Sequence, residues 1–191
     1  IVDVCLTEAH YNIGNILNEL GKYEEAIASY EKAIKLNPLY MDAYNNLGNT
    51  LNDAGDLNAA LECYGKALKI NPHDAATHTN QSFVYLAQKD FQRGWREYEW
   101  RWGTKQFGNL VIKSNKPKWN LEKYERVLLW ADQGIGDVIM FSSMIPELYL
   151  RSEKLIIQVD ERLIPLFSRS FQPDIIYYSK RIEVPEDLYD S

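Results

Sequence analysis

The chain is poor in the residues that would commit it to several common designs. Its only cysteines are Cys5 and Cys63, far apart and without metal-type spacing. A disulfide framework and a zinc module are therefore excluded, and the reading is a reducing, cytoplasmic setting. Histidine is scarce too: His10 and His78 share one position of a repeat described below, and His73 sits in a turn. That pattern suits packing and gives no metal set. No apolar run reaches the ~18 residues a membrane helix needs, and the opening IVDVCLTEAH lacks the basic start of a secretory signal. A chain that opens on Ile1 reads as an excerpt of something longer. Excess positive charge is also missing. The net charge is −6, which argues against a general nucleic-acid binder. Most of it falls early, because residues 1–103 hold 9 basic and 14 acidic side chains. What remains, 46% hydrophobic and 25% charged, is ordinary for a folded protein.

What is present is a repeat. Gly14, Gly48 and Ser82 stand 34 residues apart, as do Ala26, Ala60 and Gly94, and Tyr30, Tyr64 and Tyr98. Pro38 and Pro72 keep the same step. HYNIGNILNELGKYEEAIASYEKAIKLNP aligns with YNNLGNTLNDAGDLNAALECYGKALKINP. Over residues 7–102 the chain resembles the tetratricopeptide repeat, in which each unit is a pair of helices. The residues support that reading. Gly21 and Gly55 fall where a tight turn joins two helices. Asn37-Pro38 and Asn71-Pro72 stop the second helix of a pair. Ala26 and Ala33 suit a close helix crossing, and Tyr30 and Tyr64 are expected to fill the gap towards the next unit. Helices are predicted over 7–20 and 23–35, with six helices in all.

The third unit departs from the pattern. Arg101 replaces an alanine, Gly94 replaces another, and Trp95, Trp100 and Trp102 crowd into FQRGWREYEWRW. These aromatics suggest a seam where the solenoid meets another part of the protein. An ordinary terminal cap is the alternative.

Asparagine accumulates on the first helix of each pair: Asn12, Asn15 and Asn18, then Asn45, Asn46, Asn49 and Asn52, then Asn80. In this repeat that helix lines the inner groove. A carboxamide donates and accepts as a peptide bond does. Asn12, Asn15, Asn45, Asn46, Asn49 and Asn80 are therefore candidate ligands for an extended backbone, a feature similar to repeat-bearing protein O-glycosyltransferases. A protein or peptide is the expected partner, without nucleic acid or a membrane span.

Residues 103–122 read as a linker between the repeats at 1–102 and an α/β domain at 123–191. Within it, GTKQFGNLVIKSNKPKWN has four lysines and no acid, and Trp119 is expected to anchor its end by packing. Beyond it, RVLLWAD, KLIIQVD and PDIIYYS alternate with helical segments, and in the first of these Pro146 predicts a kink or a late start. Near-continuous apolar strands between helices predict a parallel sheet covered on both faces. The fold class is thus a three-repeat helical solenoid followed by a partial Rossmann-like parallel sheet. Its exposed edge predicts self-association.

GWREYEWRW, PKW and VLLWADQGIGDVIMFSSMIPEL together resemble a bacterial family in which tetratricopeptide repeats precede a glycosyltransferase of the two-Rossmann type. The turn GIGD is similar to that of the heptosyltransferases. The resemblance implies that Asp137 is the base that deprotonates the acceptor hydroxyl. Gln133, Gly134 and Gly136 would form the turn that lets substrate approach the main chain. It also implies that a nucleotide-sugar donor binds a second domain, so these residues hold no cofactor and should not catalyse transfer alone. The alternatives are a helix-capping role for Asp137, and a pure interaction scaffold with a structural α/β tail.

Overall fold

The computed structural model describes residues 4–108, 114–121, 125–131 and 134–191. The chain divides into two compact units, Ile1–Asn109 and Leu110–Ser191.

The first unit is a helical solenoid. Its helices are α1 (Val4–Glu19), α2 (Tyr23–Leu36), α3 (Met41–Asp53), α4 (Leu57–Ile70), α5 (Ala75–Ala87) and α6 (Phe91–Tyr98). They pair as α1 with α2, α3 with α4 and α5 with α6. Local chemistry sets the ends. Asp56, Asp74 and Asp90 accept from the backbone N–H of Ala59, Thr77 and Arg93 at 3.1, 2.7 and 3.1 Å, satisfying donors that a first turn leaves open. Gly21 and Gly55 turn the chain at φ 71° and 89°. Lys89, in register with them, holds φ 63° without glycine's freedom. Asn37 and Asn71 accept from the N–H two residues on, at 3.1 and 3.2 Å, and shape the turn at each proline.

The small residues do what the period implied. Ala26, Ala33, Ala43, Ala60 and Ala67 are wholly buried. The tyrosines fill two gaps, one within their own pair and one towards the next unit. Tyr30 lies against Gly14 in its own pair, where an added Cβ would sit 2.6 Å from the ring, and Tyr64 lies against Gly48 in the same way, at 2.5 Å. They therefore lock the two helices of one pair, and each also joins a buried cluster with the next unit, Tyr30 with Leu47 of α3 and Tyr64 with Val84 of α5.

The third pair is locked by other means. Ser82 replaces the glycine and is buried, donating to the Thr79 carbonyl at 2.6 Å. Gly94 is needed because Leu86 fills the space, an added Cβ lying 2.6 Å from it. Leu86 stands where the earlier units have Asn18 and Asn52, so a larger residue on one helix is matched by a smaller one on the other. Helix α6 ends at Tyr98, and a 3₁₀ turn follows over Glu99–Gly103. There Arg101 stacks its guanidinium over Tyr98 and Trp102, 4.3 and 3.8 Å from the ring centres.

Of the tryptophans, Trp100 has its partner within the third pair. Trp100 stacks on His78 of α5 at 4.1 Å and 7°, so it completes the third pair. His78 is held between Glu97 (2.7 Å) and the Pro72 carbonyl (3.0 Å). Trp95 is half exposed, and neither Trp100 nor Trp102 is fully buried.

The second unit is a parallel sheet in the order β1-β2-β3, with β1 (Arg126–Trp130), β2 (Lys154–Val159) and β3 (Ile176–Ser179). Val127 aligns with Leu155, and Ile157 with Tyr177. Between β1 and β2 the helix breaks into α7 (Ile135–Phe141), a 3₁₀ turn and α8 (Ile145–Arg151). Pro146 in the first turn of α8 explains the break, since it has no N–H to continue α7. Helix α9 (Ile164–Ser170) links β2 to β3.

Alternate residues serve alternate faces, as strand geometry requires. Val127, Leu155, Ile157 and Val159 join Ile145, Leu163 and Phe167 from the helical side, with Trp119 packed against them. Leu128 and Ile156 face the other way and meet Val184, Leu188 and Tyr189. The second face is thus covered by the irregular C-terminal segment, not by a helix as the strand-helix alternation had implied. That segment also reaches the outer edge of β1. The Asp190 N–H donates to the Arg126 carbonyl at 2.8 Å, and the Leu128 N–H to the Ser191 carbonyl at 2.9 Å. The Arg126 guanidinium grips the Asp190 carboxylate at 2.7 and 3.0 Å and holds its pKa down to about 2. One of the two sheet edges expected to lie open is therefore paired. Among the described residues, β3 is the edge without a partner strand.

Candidate functional site

Helices α1, α3 and α5 bring the asparagines onto neighbouring helices, and the structure uses their amides in a way the sequence did not show. Tyr30 donates its hydroxyl to Asn15 Oδ1 at 2.8 Å, and Tyr64 donates to Asn49 Oδ1 at the same distance. Asn46 Nδ2 donates to Tyr11 Oη at 3.0 Å and to Asn15 Oδ1 at 2.8 Å. One repeat later Asn80 Nδ2 donates to Asn45 Oδ1 at 3.2 Å, and Thr77 Oγ1 joins it at 3.1 Å. Amides thus bridge α1 to α3 and α3 to α5.

The bridges spend one polar atom of each amide and leave the other. Asn15, Asn45 and Asn49 accept through Oδ1, so Nδ2 of each remains as donor. Asn46 donates through Nδ2, so Oδ1 remains as acceptor. Asn12 is exposed on α1 and takes no part in the bridges. Burial, and next the neighbouring Tyr11, push the Tyr30 hydroxyl up to about 12; burial raises Tyr64 as well. Both hydroxyls therefore stay protonated, as donors must.

Asn15, Asn18, Glu19, Tyr30, Asn46 and Asn49 line a recess of ≈ 320 Å³. Asn18 Oδ1 is buried there without a hydrogen-bond partner. In the third pair the polar lining gives way: Phe83 takes the register of Asn15 and Asn49, and meets the Tyr98 ring at 5.7 Å. The charges are sorted as well. Helices α1, α3 and α5 carry Glu8, Glu19, Asp42 and Asp53 with no lysine or arginine. Lys32, Lys35, Lys66, Lys69, Arg93 and Arg96 all stand on α2, α4 and α6.

These elements have a family counterpart. Residues 14–51 match a model described as TPR repeat, and residues 42–74 a model described as tetratricopeptide repeat. Residues 14–74 are tetratricopeptide repeats. The first domain of Spaghetti (RPAP3), solved bound to the HSP90 peptide SRMEEVD, is 19% identical with a TM-score of 0.52. That likeness covers 55% of this chain and 83% of that one, and shows the tetratricopeptide solenoid fold. MamA is similar at 23% identity and a TM-score of 0.49, over 55% of this chain and 61% of its own. This chain thus spans less than two thirds of MamA's length. No curated protein matches.

The second candidate site lies beyond the repeats, at the carboxyl end of β1. Gly134 is the N-cap of α7 at φ −66°, and Asp137 stands exposed in the first turn of that helix. Asp137 is therefore not the N-cap that the alternative reading required. Gln133 lies outside the described residues. The two glycines correct the expected turn geometry. Neither has positive φ, an added Cβ on Gly136 would meet nothing within 4 Å, and one on Gly134 would make an ordinary contact, 3.7 Å from Asp137 Oδ2. Nothing within the described chain requires glycine at either position. Beside them an apolar cavity of ≈ 190 Å³ opens among Trp130, Ala131, Val138, Phe141, Met144 and Val159.

Proposed function

We propose that the tetratricopeptide repeats hold an extended peptide, or an unstructured stretch of a partner protein, across α1, α3 and α5. The observation that carries this reading is the ≈ 320 Å³ recess, in which Asn15, Asn46 and Asn49 are each fixed through one polar atom and present the other. Groups already immobilised lose little entropy when a ligand arrives. A peptide backbone offers the matching N–H and C=O groups, largely regardless of its side chains. The peptide named with the Spaghetti domain supports the reading by likeness of fold.

Asn18 offers the cleanest test, because its buried Oδ1 has no hydrogen-bond partner among the described residues. Asn18→Ala should leave the melting temperature unchanged or slightly higher, since alanine favours a helix. Binding of labelled extended peptides, followed by fluorescence anisotropy, should weaken by about fivefold or more, the scale of one lost hydrogen bond. Unchanged binding would count against the groove.

For the α/β unit the finer reading is the acceptor-side part of a glycosyltransferase-like protein of the two-Rossmann type. What supports it is an exposed carboxylate in the first turn of the helix after β1, beside two glycines the chain itself does not require. Open parallel sheets bind ligands outside the carboxyl ends of their strands. Asp137 would accept the proton of an acceptor hydroxyl as that oxygen attacks the anomeric carbon, with the nucleotide-sugar held by a second domain. In a longer protein that transfers sugar, Asp137→Asn should lower turnover about a hundredfold. Full activity of that variant would remove Asp137 from the reaction, and a longer protein without any transfer activity would leave the alternative, an interaction scaffold whose α/β part is structural.

A further inference from the structure

The sorting of charge in the repeats bears on what the groove can hold. Glu8 and Asp42 share one register position, and Glu19 and Asp53 another. All four are exposed, and none has a cationic partner among the described residues. Their placement repeats along with the hydroxyls: burial holds Tyr30 and Tyr64 protonated, and the negative charge of Glu19 beside Tyr30 and of Asp53 beside Tyr64 adds to that in the same direction. Glu19 also lines the recess, beside Asn15 and Asn49. The cations that could neutralise these rows are on α2, α4 and α6 instead.

We infer that the groove takes a basic segment, an extended peptide whose lysine or arginine side chains meet Glu19 and Asp53 while its backbone meets the asparagines. The inference rests on the groove reading above and adds the chemistry of the partner. An acidic peptide would bring carboxylates onto helices that carry only carboxylates, and like charges in register repel. A basic one leaves the four acids paired and exposed, where each pair adds modestly to affinity and strongly to selection among partners. The third pair differs: Phe83 and Ala87 stand in place of the asparagine and the acid. The end of the segment that reaches α5 should therefore be apolar or aromatic.

Three labelled peptides separate the possibilities. Each is about eight residues long, roughly 26 Å when extended, built on serine and alanine with one terminal phenylalanine. One carries lysines, one glutamates, and one neither. Anisotropy at low salt should rank them lysine over neutral over glutamate. Glu19→Gln and Asp53→Asn should each weaken the lysine peptide by about threefold, and by more than they weaken the neutral one. Added salt should shrink the difference, because exposed pairs are screened. If the neutral or the glutamate peptide binds as well as the lysine one, the charge inference is overturned and the groove reading stands. If none of the three binds while the parent melts cooperatively, the groove reading itself falls, and this inference with it.

Discussion

The first two repeats and the third share a frame and differ in how it is locked. In the first two, a glycine on one helix receives a tyrosine ring from the other, and the tyrosine hydroxyl continues into an asparagine amide. In the third, a buried serine replaces the glycine, an aromatic contact replaces the amide bond, and a stacked His78–Trp100 pair closes the end. The difference separates stability from recognition. A helix pair of this frame can be held together without the tyrosine–asparagine hydrogen bond, here with a His78–Glu97 bond and aromatic contacts instead. The polar lock of the first two pairs also fixes the amides that line the recess, so those pairs can serve a ligand in a way the third cannot.

The comparison breaks most visibly at the glycines. Gly48→Ala must displace the buried Tyr64 ring and should cost about 1–3 kcal/mol, the usual range for overpacking. Ser82→Ala loses one local hydrogen bond and should cost about 1 kcal/mol or less. Thermal melts that fall equally for both variants would mean that the two kinds of pair are locked alike. The hydroxyls come next. Tyr64→Phe strands the Asn49 amide oxygen and should cost roughly 1 kcal/mol. Tyr98→Phe keeps its ring contacts and should be nearly neutral, so a larger loss for Tyr98→Phe would reverse the assignment.

Alkali sharpens the same contrast. Burial raises the Tyr30 hydroxyl to about 12 in the folded chain, against about 10 when unfolded. The folded state therefore favours the protonated form. Its contribution is complete below about pH 10 and is lost as pH rises from there through about 12. Tyr30→Phe should flatten the fall in stability over that window, and a parallel fall in parent and variant would contradict it. The smallest effect belongs to the turn of the third pair. Lys89 holds φ 63° where its counterparts are glycine. Lys89→Gly should gain about 0.5 kcal/mol, relieved strain outweighing glycine's freedom in the unfolded chain. A loss would show that the lysine is not strained there.

The period, the glycine turns, the proline stops and the parallel strands were all legible in the sequence, because each is set by residues close in the chain. The locks were not. Tyr30 meets Asn15 and Asn46 meets Asn15 only after helices pair in one register, and nothing local marks an amide as half used. The 34-residue step that aligns Tyr11 with Asn45 and Asn46 with Asn80 did contain the signal, for a reader asking which side chains bond across repeats. The partner of Trp100 was not legible either, because His78 comes within reach only once α5 and the turn after α6 are packed together. The C-terminal segment was unreadable for another reason. Residues 184–191 have neither helical nor strand period, yet they cover a sheet face and the edge of β1.

The central claim is that Asn15, Asn46 and Asn49 each hold their neighbours through one amide atom and offer the other to a peptide. Side-chain amide NMR of the asparagines, recorded with and without an extended peptide, tests it most directly. The account predicts that the Nδ2 protons of Asn15 and Asn49 shift on binding, while those of Asn46 stay protected from exchange throughout, bonded to Tyr11 and Asn15. Fast exchange at Asn46 in the free protein, or shifts confined to α2, α4 and α6 when peptide is added, would contradict it.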